Sequence, residues 1–175
     1  MKKIAIISTS LAPKSRSRIV LRFMYEQIQE IDDVEAVWFD VQDHPLPLYT
    51  DGVSNEHVVA GKKILSDTDA WVIGGPVHNW GAASSTINFL NYCLDKKVYS
   101  YKPFTLIAGA GTSVSFLAMD GLGRNIRTEV KGVEVGPAIV CAGDSVDRET
   151  GNIDDKTKGR LEERIEAMLR FVKVS

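Results

Sequence analysis

The sequence predicts an α/β domain in which one parallel sheet is covered by helices on both faces. Five short, nearly continuous apolar runs recur along the chain, and segments with helical patterning lie between and after them. No break rich in Pro, Gly or Ser divides the chain, so residues 1–175 read as a single domain of ordinary size.

The first run, Ile4-Ala5-Ile6-Ile7, is apolar throughout, as a strand buried on both faces must be. Ser15 or Ser17 is placed to cap the next helix, whose apolar face is Ile19, Val20, Phe23, Met24 and Ile28. The second run, 34–39, is interrupted by Glu35, which suits an edge strand, and a helix carrying Val58, Val59, Ile64 and Leu65 follows over 55–66. The third run, Ala70-Trp71-Val72-Ile73, precedes a helix over 84–94 with Ile87, Leu90 and Leu94. The fourth, 104–108, precedes a helix-like stretch over 115–130 that contains Gly121 and Gly123. The fifth, 138–142, leads through a hydrophilic loop over 144–155 to the clearest helix. There Leu161, Ile165, Met168, Leu169 and Val172 share one face, and Asp154 is the expected cap.

Charge and composition exclude several classes. Lys plus Arg number 21 against 23 Asp plus Glu, a net charge of −2, which argues against a general nucleic-acid binder. Cys93 and Cys141 lie in apolar surroundings far apart in sequence, a pattern that indicates neither a disulfide scaffold nor a zinc site. The apolar stretch after Lys3 is too short for a signal-peptide core, and no run approaches the length of a membrane span. The expectation is a soluble, cytoplasmic protein with no nucleic-acid or membrane partner and no bound metal.

In sheets of this kind ligands bind beyond the carboxyl ends of the strands, where strand order reverses. The loop after the first run, 8–18, holds Ser8, Thr9, Ser10, Ser15 and Ser17 with Lys14, Arg16 and Arg18 at a helix entrance. Hydroxyls, cations and free helix amides together make an anion site suited to phosphate; the alternative is a polar, capped loop. Neither G-x-G-x-x-G nor G-x-x-x-x-G-K-[ST] occurs, so ATP, GTP and a Rossmann-mode dinucleotide lose support. After the third run, Gly74-Gly75-Pro76 leads to Val77, His78, Asn79 and Trp80, a group able to flank a planar ligand and bond its edge. After the fourth, Gly109-Ala110-Gly111-Thr112-Ser113 lets backbone approach a ligand closely.

Taken together, the three loops resemble those of the NADPH-dependent FMN reductase-like flavoproteins, which include quinone, azo and chromate reductases. Ser10, Leu11 and Ser15 match that family's G-S-L-R-x-x-S-x-N loop, and Pro76 and Asn79 match its P-x-Y-N. Asn88 falls where its later L-K-N places an Asn, and residues 109–113 correspond to its Gly-rich loop. An acidic loop with glycine before a charged last helix, over 147–164, is also similar, so the resemblance spans essentially the whole chain.

The resemblance implies a flavodoxin-like three-layer α/β/α sandwich with a five-stranded parallel sheet in the order 2-1-3-4-5. It implies FMN bound across the three loops. Ser10, Ser15 and Ser17, with backbone at Arg16, would hold the ribityl phosphate. Pro76, Val77, His78 and Asn79 would line the isoalloxazine, and Gly109, Gly111 and Thr112 would approach its pyrimidine edge. The departures are Ala12 for the family's Arg, His78 for its Tyr, Ala83-Ser84 for the Pro-Gly that opens the third helix, and Ile87 for the Lys. Ala12 leaves the choice between NADPH and NADH open, with Lys14 or Arg16 as substitutes for the missing Arg.

The implied activity is oxidoreduction, from NADPH or NADH through FMN to a small acceptor such as a quinone, a free flavin or an azo compound. Such chemistry belongs to the flavin, so no catalytic side chain is named, and His78 is the one to test as a proton donor. The resemblance also implies a homodimer or homotetramer; Trp80 with Phe89, Tyr92 and Cys93 supplies apolar residues beyond one core-facing stripe. A hydrolase lacks the G-x-S-x-G elbow. A flavodoxin-like electron carrier with a protein partner is the main alternative, but a charge of −2 gives little electrostatic steering.

Overall fold

The computed structural model describes residues 1–95, 101–113, 115 and 117–174. Strand β1 (Lys2–Ser8) pairs in parallel with β2 (Val34–Asp40) on one side and β3 (Ala70–His78) on the other, with Ile4 opposite both Ala36 and Ala70. A short strand, β4 (Gly81–Ala82), folds back antiparallel on the end of β3. Beyond β3 lies β5 (Pro103–Gly109), in parallel register from Trp71 against Phe104 to Pro76 against Gly109. The last position is shared: β6 (Val133–Glu134) pairs with the start of β5 and β7 (Ile139–Cys141) with its end. The order β2-β1-β3-β5 followed by this divided strand is the expected 2-1-3-4-5.

Alternation along each strand sends side chains to two cores. Ile4, Ile6, Ala70, Val72 and Ile107 pack against α1 (Arg16–Gln29) and α5 (Asp155–Val174). Ala5, Ile7, Trp71, Ile73, Phe104 and Leu106 face α2 (Glu56–Asp67), α3 (Ser84–Cys93) and α4 (Asp120–Val130). Caps fix where helices start: Ser15 Oγ accepts from Arg18 N at 3.4 Å, Asn55 Oδ1 from Val58 N at 2.9 Å and Asp154 Oδ1 from Thr157 N at 2.6 Å.

Several expectations change. β3 continues through Gly74, Gly75 and Pro76 to His78, because β1 pairs with it to Gly74, β5 to Pro76 and β4 folds back on Val77 and His78. The helix expected over 115–130 begins at Asp120; residue 116 lies outside the described residues. Val59 and Ile87 point outward, whereas Phe89, Tyr92 and Cys93 pack under the sheet in the core. The last three therefore lend nothing to an oligomer contact.

Candidate functional site

The carboxyl ends of β1, β3 and β5 open onto a cleft of about 510 Å3. Its wall brings together eight of the eleven residues expected from the sequence: Ser10, Ser15, Arg16, Pro76, Val77, His78, Gly109 and Gly111. Ser17 is fully buried beneath it, and Asn79 and Thr112 are exposed outside its wall. Leu11, Ala12, Lys14, Ala83, Ser84, Ser85, Ala110 and Arg148 complete the lining, and of these Ser85 and Arg148 were not picked out by any sequence pattern.

The anion cradle is built from the start of α1. Ser10 Oγ accepts from Ala12 N at 3.3 Å, which leaves its own proton free. Ser15 Oγ lies 3.0 Å from Ser17 Oγ; with Ser17 donating to it, the Ser15 hydroxyl keeps a proton to donate into the cleft. The amides of Arg16 and Ser17, at the helix start, donate to no group among the described residues. The first turn of α1 carries no acidic residue, so the positive end of its dipole is uncompensated. Gly109 lets β5 approach this turn: a methyl there would lie 2.8 Å from Ser17 N.

The three cations of this loop do different work. Arg18 is not available to a ligand, contrary to the reading that all three serve the anion site. Its Nε donates to Asp40 Oδ2 at 2.6 Å and its Nη2 to Asp40 Oδ1 at 3.2 Å, with the carboxylate 4% exposed. The same guanidinium donates to the carbonyls of Ala12, at 2.6 Å, and Ser10, so it braces the loop from below. Lys14 pairs with Glu149, and Arg16 Nε donates to Val146 O at 3.1 Å, tying the cradle to the loop after β7. Arg148 lines the cleft and has no hydrogen bond or ion pair among the described residues.

The slot opposite the cradle is walled by backbone. Val77 pairs with Ala82 and His78 with Gly81, and Ala83 N donates to Pro76 O at 3.0 Å. The hairpin turns at Asn79 (φ 49°) and Trp80 (φ 64°), left-handed at both central positions, which matches the strand twist. Beneath it, Thr9 Oγ1 donates to Gly74 O at 3.0 Å and shares a 2.7 Å hydrogen bond with Thr86 Oγ1. Gly75 leaves the room for that pair, since a methyl there would overlap both hydroxyl oxygens. Asn88 holds the chain after β2 instead of the cleft: its Oδ1 accepts from Tyr49 N and its Nδ2 donates to Pro47 O, both at 2.8 Å.

This donor set fits FMN. Hydroxyls and free amides at an uncompensated helix start suit a phosphate monoester. The adjoining slot of strand-end backbone and small residues suits a planar ring whose edge both donates and accepts hydrogen bonds.

No curated protein matches the chain in sequence. Among solved structures it is similar to an NADH:FMN oxidoreductase in its apo form, with a TM-score of 0.82 and 16% identity over 98% of this chain and 90% of that one. It is similar to an oxidoreductase from Corynebacterium diphtheriae, with a TM-score of 0.80 and 17% identity over 100% and 98% of the two chains. It is also similar to FerB, a flavoenzyme NAD(P)H:(acceptor) oxidoreductase from Paracoccus denitrificans, with a TM-score of 0.76 and 20% identity over 99% and 98%. At these identities the likeness establishes the flavodoxin-like fold. The sequence profile of the NADPH-dependent FMN reductases matches residues 2–146. The chain belongs to the NADPH-dependent FMN reductase family, as an NAD(P)H-dependent oxidoreductase with FMN as its cofactor.

Proposed function

We propose that the chain passes hydride from NADPH or NADH, by way of FMN in the cleft above β1, β3 and β5, to a small acceptor such as a quinone, a free flavin or an azo compound. One observation carries this reading: the hydroxyl and amide cradle at α1 and the backbone slot of 76–78 and 109–111 share one cleft of about 510 Å3. FMN, when bound, supplies ring atom N5 to take up the hydride and pass it on.

The chain's own groups bind and orient. Ser10 and Ser15 donate hydroxyls to the phosphate, the amides of Arg16 and Ser17 point to the same place, and Ser17 fixes the Ser15 hydroxyl. Pro76, Val77 and His78 line the ring mainly by backbone, so its position depends little on side-chain rotamers. Gly109 and Gly111 on the cleft wall lie toward the pyrimidine edge, where donors favour negative charge. No side chain is needed as a nucleophile or general base. His78 at the rim is the side chain to test as a proton donor.

The enzyme works as a homodimer or homotetramer in this reading. Leu11 on the cleft wall, Leu48 and Ile87 in the adjoining groove and Trp80 at the β3–β4 turn are 43 to 85% exposed, which supports burial against another copy. The test is an absorbance scan of the purified protein, then oxidation of NADPH and of NADH with a quinone. A yellow protein that oxidises either nicotinamide is expected. A colourless protein that takes up no added FMN overturns the reading.

A further inference from the structure

A second cleft, of about 580 Å3, opens on the far side of the cradle, between α1 and the loop over 148–153. Lys14, Ser15 and Arg148 line both clefts, so the second begins where the flavin phosphate ends. That statement rests on the placement of the phosphate at α1 proposed above. The second cleft's walls carry five cations, Lys14, Arg18, Arg22, Arg148 and Lys158, against two carboxylates, Glu26 and Glu149.

The carboxylates do not neutralise them all. Asp40 takes Arg18, and Glu149 takes Lys14. Arg22 lies over the Trp38 ring at 3.5 Å, a contact that fixes the guanidinium and leaves its charge in place. Lys158 pairs only with the exposed Asp155, at 3.8 Å, among the described residues, and Arg148 with none. The floor is apolar and partly aromatic, from half-buried Ile19 and Phe23. The volume exceeds what one phosphate fills and lies within the range of small-molecule sites.

We propose that this cleft binds an adenosine 5′-phosphate group beside the flavin phosphate. Arg22, Arg148 and Lys158 meet its phosphate, Phe23 supplies a surface for the base, and Glu26 accepts from an exocyclic amine. The group has two sources: the second half of a flavin dinucleotide, FAD, or the adenylate end of the reduced nicotinamide.

Titrations of the whole chain test this. AMP is added to the FMN-loaded protein in a calorimeter, and FMN and FAD are titrated separately by flavin fluorescence. Each titration is repeated on the double variant Arg22→Glu, Lys158→Glu, whose positions lie outside the FMN cleft; a urea melt confirms that it folds. AMP is expected to bind, the variant to weaken it by at least about tenfold, and FMN affinity to change less than about twofold. FAD binding tighter than FMN, with that advantage lost in the variant, identifies FAD as the source. No FAD advantage, but a KM for NADPH or NADH raised about tenfold at unchanged kcat, identifies the nicotinamide. Absence of AMP binding, with neither the FAD-to-FMN ratio nor KM moved, overturns the proposal. The FMN titration stands apart: a chain that binds AMP but no FMN contradicts the flavin reading and keeps the adenylate site.

Discussion

Substituting Ser15 separates two jobs that its side chain performs together. It caps α1 through Arg18 N at 3.4 Å, and it borders the cleft with its Oγ held 3.0 Å from Ser17 Oγ. Asp caps a helix as well as Ser does, so Ser15→Asp should leave stability within about 1 kcal/mol of the parent. The same carboxylate then stands against the phosphate. At about 4 Å, with an effective dielectric constant of about 20, two unit charges repel by about 4 kcal/mol. That is roughly a thousandfold in Kd for FMN. Ser15→Ala reverses the emphasis. It removes the cap, at about 1 kcal/mol of stability, and one donor to a charged group, about tenfold or more in affinity. Flavin fluorescence titration and urea unfolding on the three proteins give the two orders. Affinity should run parent, Ala, Asp, and stability parent with Asp, then Ala. Ser15→Asp binding FMN as tightly as the parent would refute the placement of the phosphate.

Asp40→Asn leaves the Arg18 guanidinium, 15% exposed, without its counter-charge, and the urea midpoint should fall by the equivalent of about 3 kcal/mol; an unmoved midpoint means the pair does not brace the loop. Trp80→Gly relieves a bulky residue at φ 64° and should raise stability by about 1 kcal/mol, a gain that thermal or urea melts detect and a loss would contradict. Burial pushes the Cys93 and Cys141 thiols from 9.0 up to about 12, so a thiol reagent at mildly alkaline pH should label neither until the chain unfolds. The unfolded thiols ionise near 9 while the buried ones stay protonated. Stability should therefore be fully present below pH 9 and fall progressively towards 12, whereas rapid labelling of the native protein contradicts the burial.

Five strands were legible because four of them are apolar almost without interruption and the edge position of β2 showed in Glu35, whereas the two-residue strands β4 and β6 gave no apolar run to read. What the sequence concealed was long-range pairing. Arg18 looked like a ligand for an anion because its partner, Asp40, lies at the end of another strand. Gly74-Gly75-Pro76 reads as a turn on local preference, yet β1 and β5 hold it as strand, with Gly75 making room for the Thr9–Thr86 pair. Arg148 had no pattern around it; its place in the wall follows from the loop after β7 folding back on the cradle, a contact made by Arg16 and Val146. On α3 the expected face of Ile87, Leu90 and Leu94 was misplaced: Ile87 is exposed, and Phe89, Leu90, Tyr92 and Cys93 form the buried face, so the apolar surplus serves the core rather than a partner.

Anaerobic mixing of the FMN-loaded protein with NADPH, and separately with NADH, addresses the oxidoreductase reading most directly. At least one of the two should bleach the flavin's visible absorbance, and a quinone added afterwards should restore it. A protein that holds FMN but keeps its spectrum unchanged with both nicotinamides would contradict the assignment.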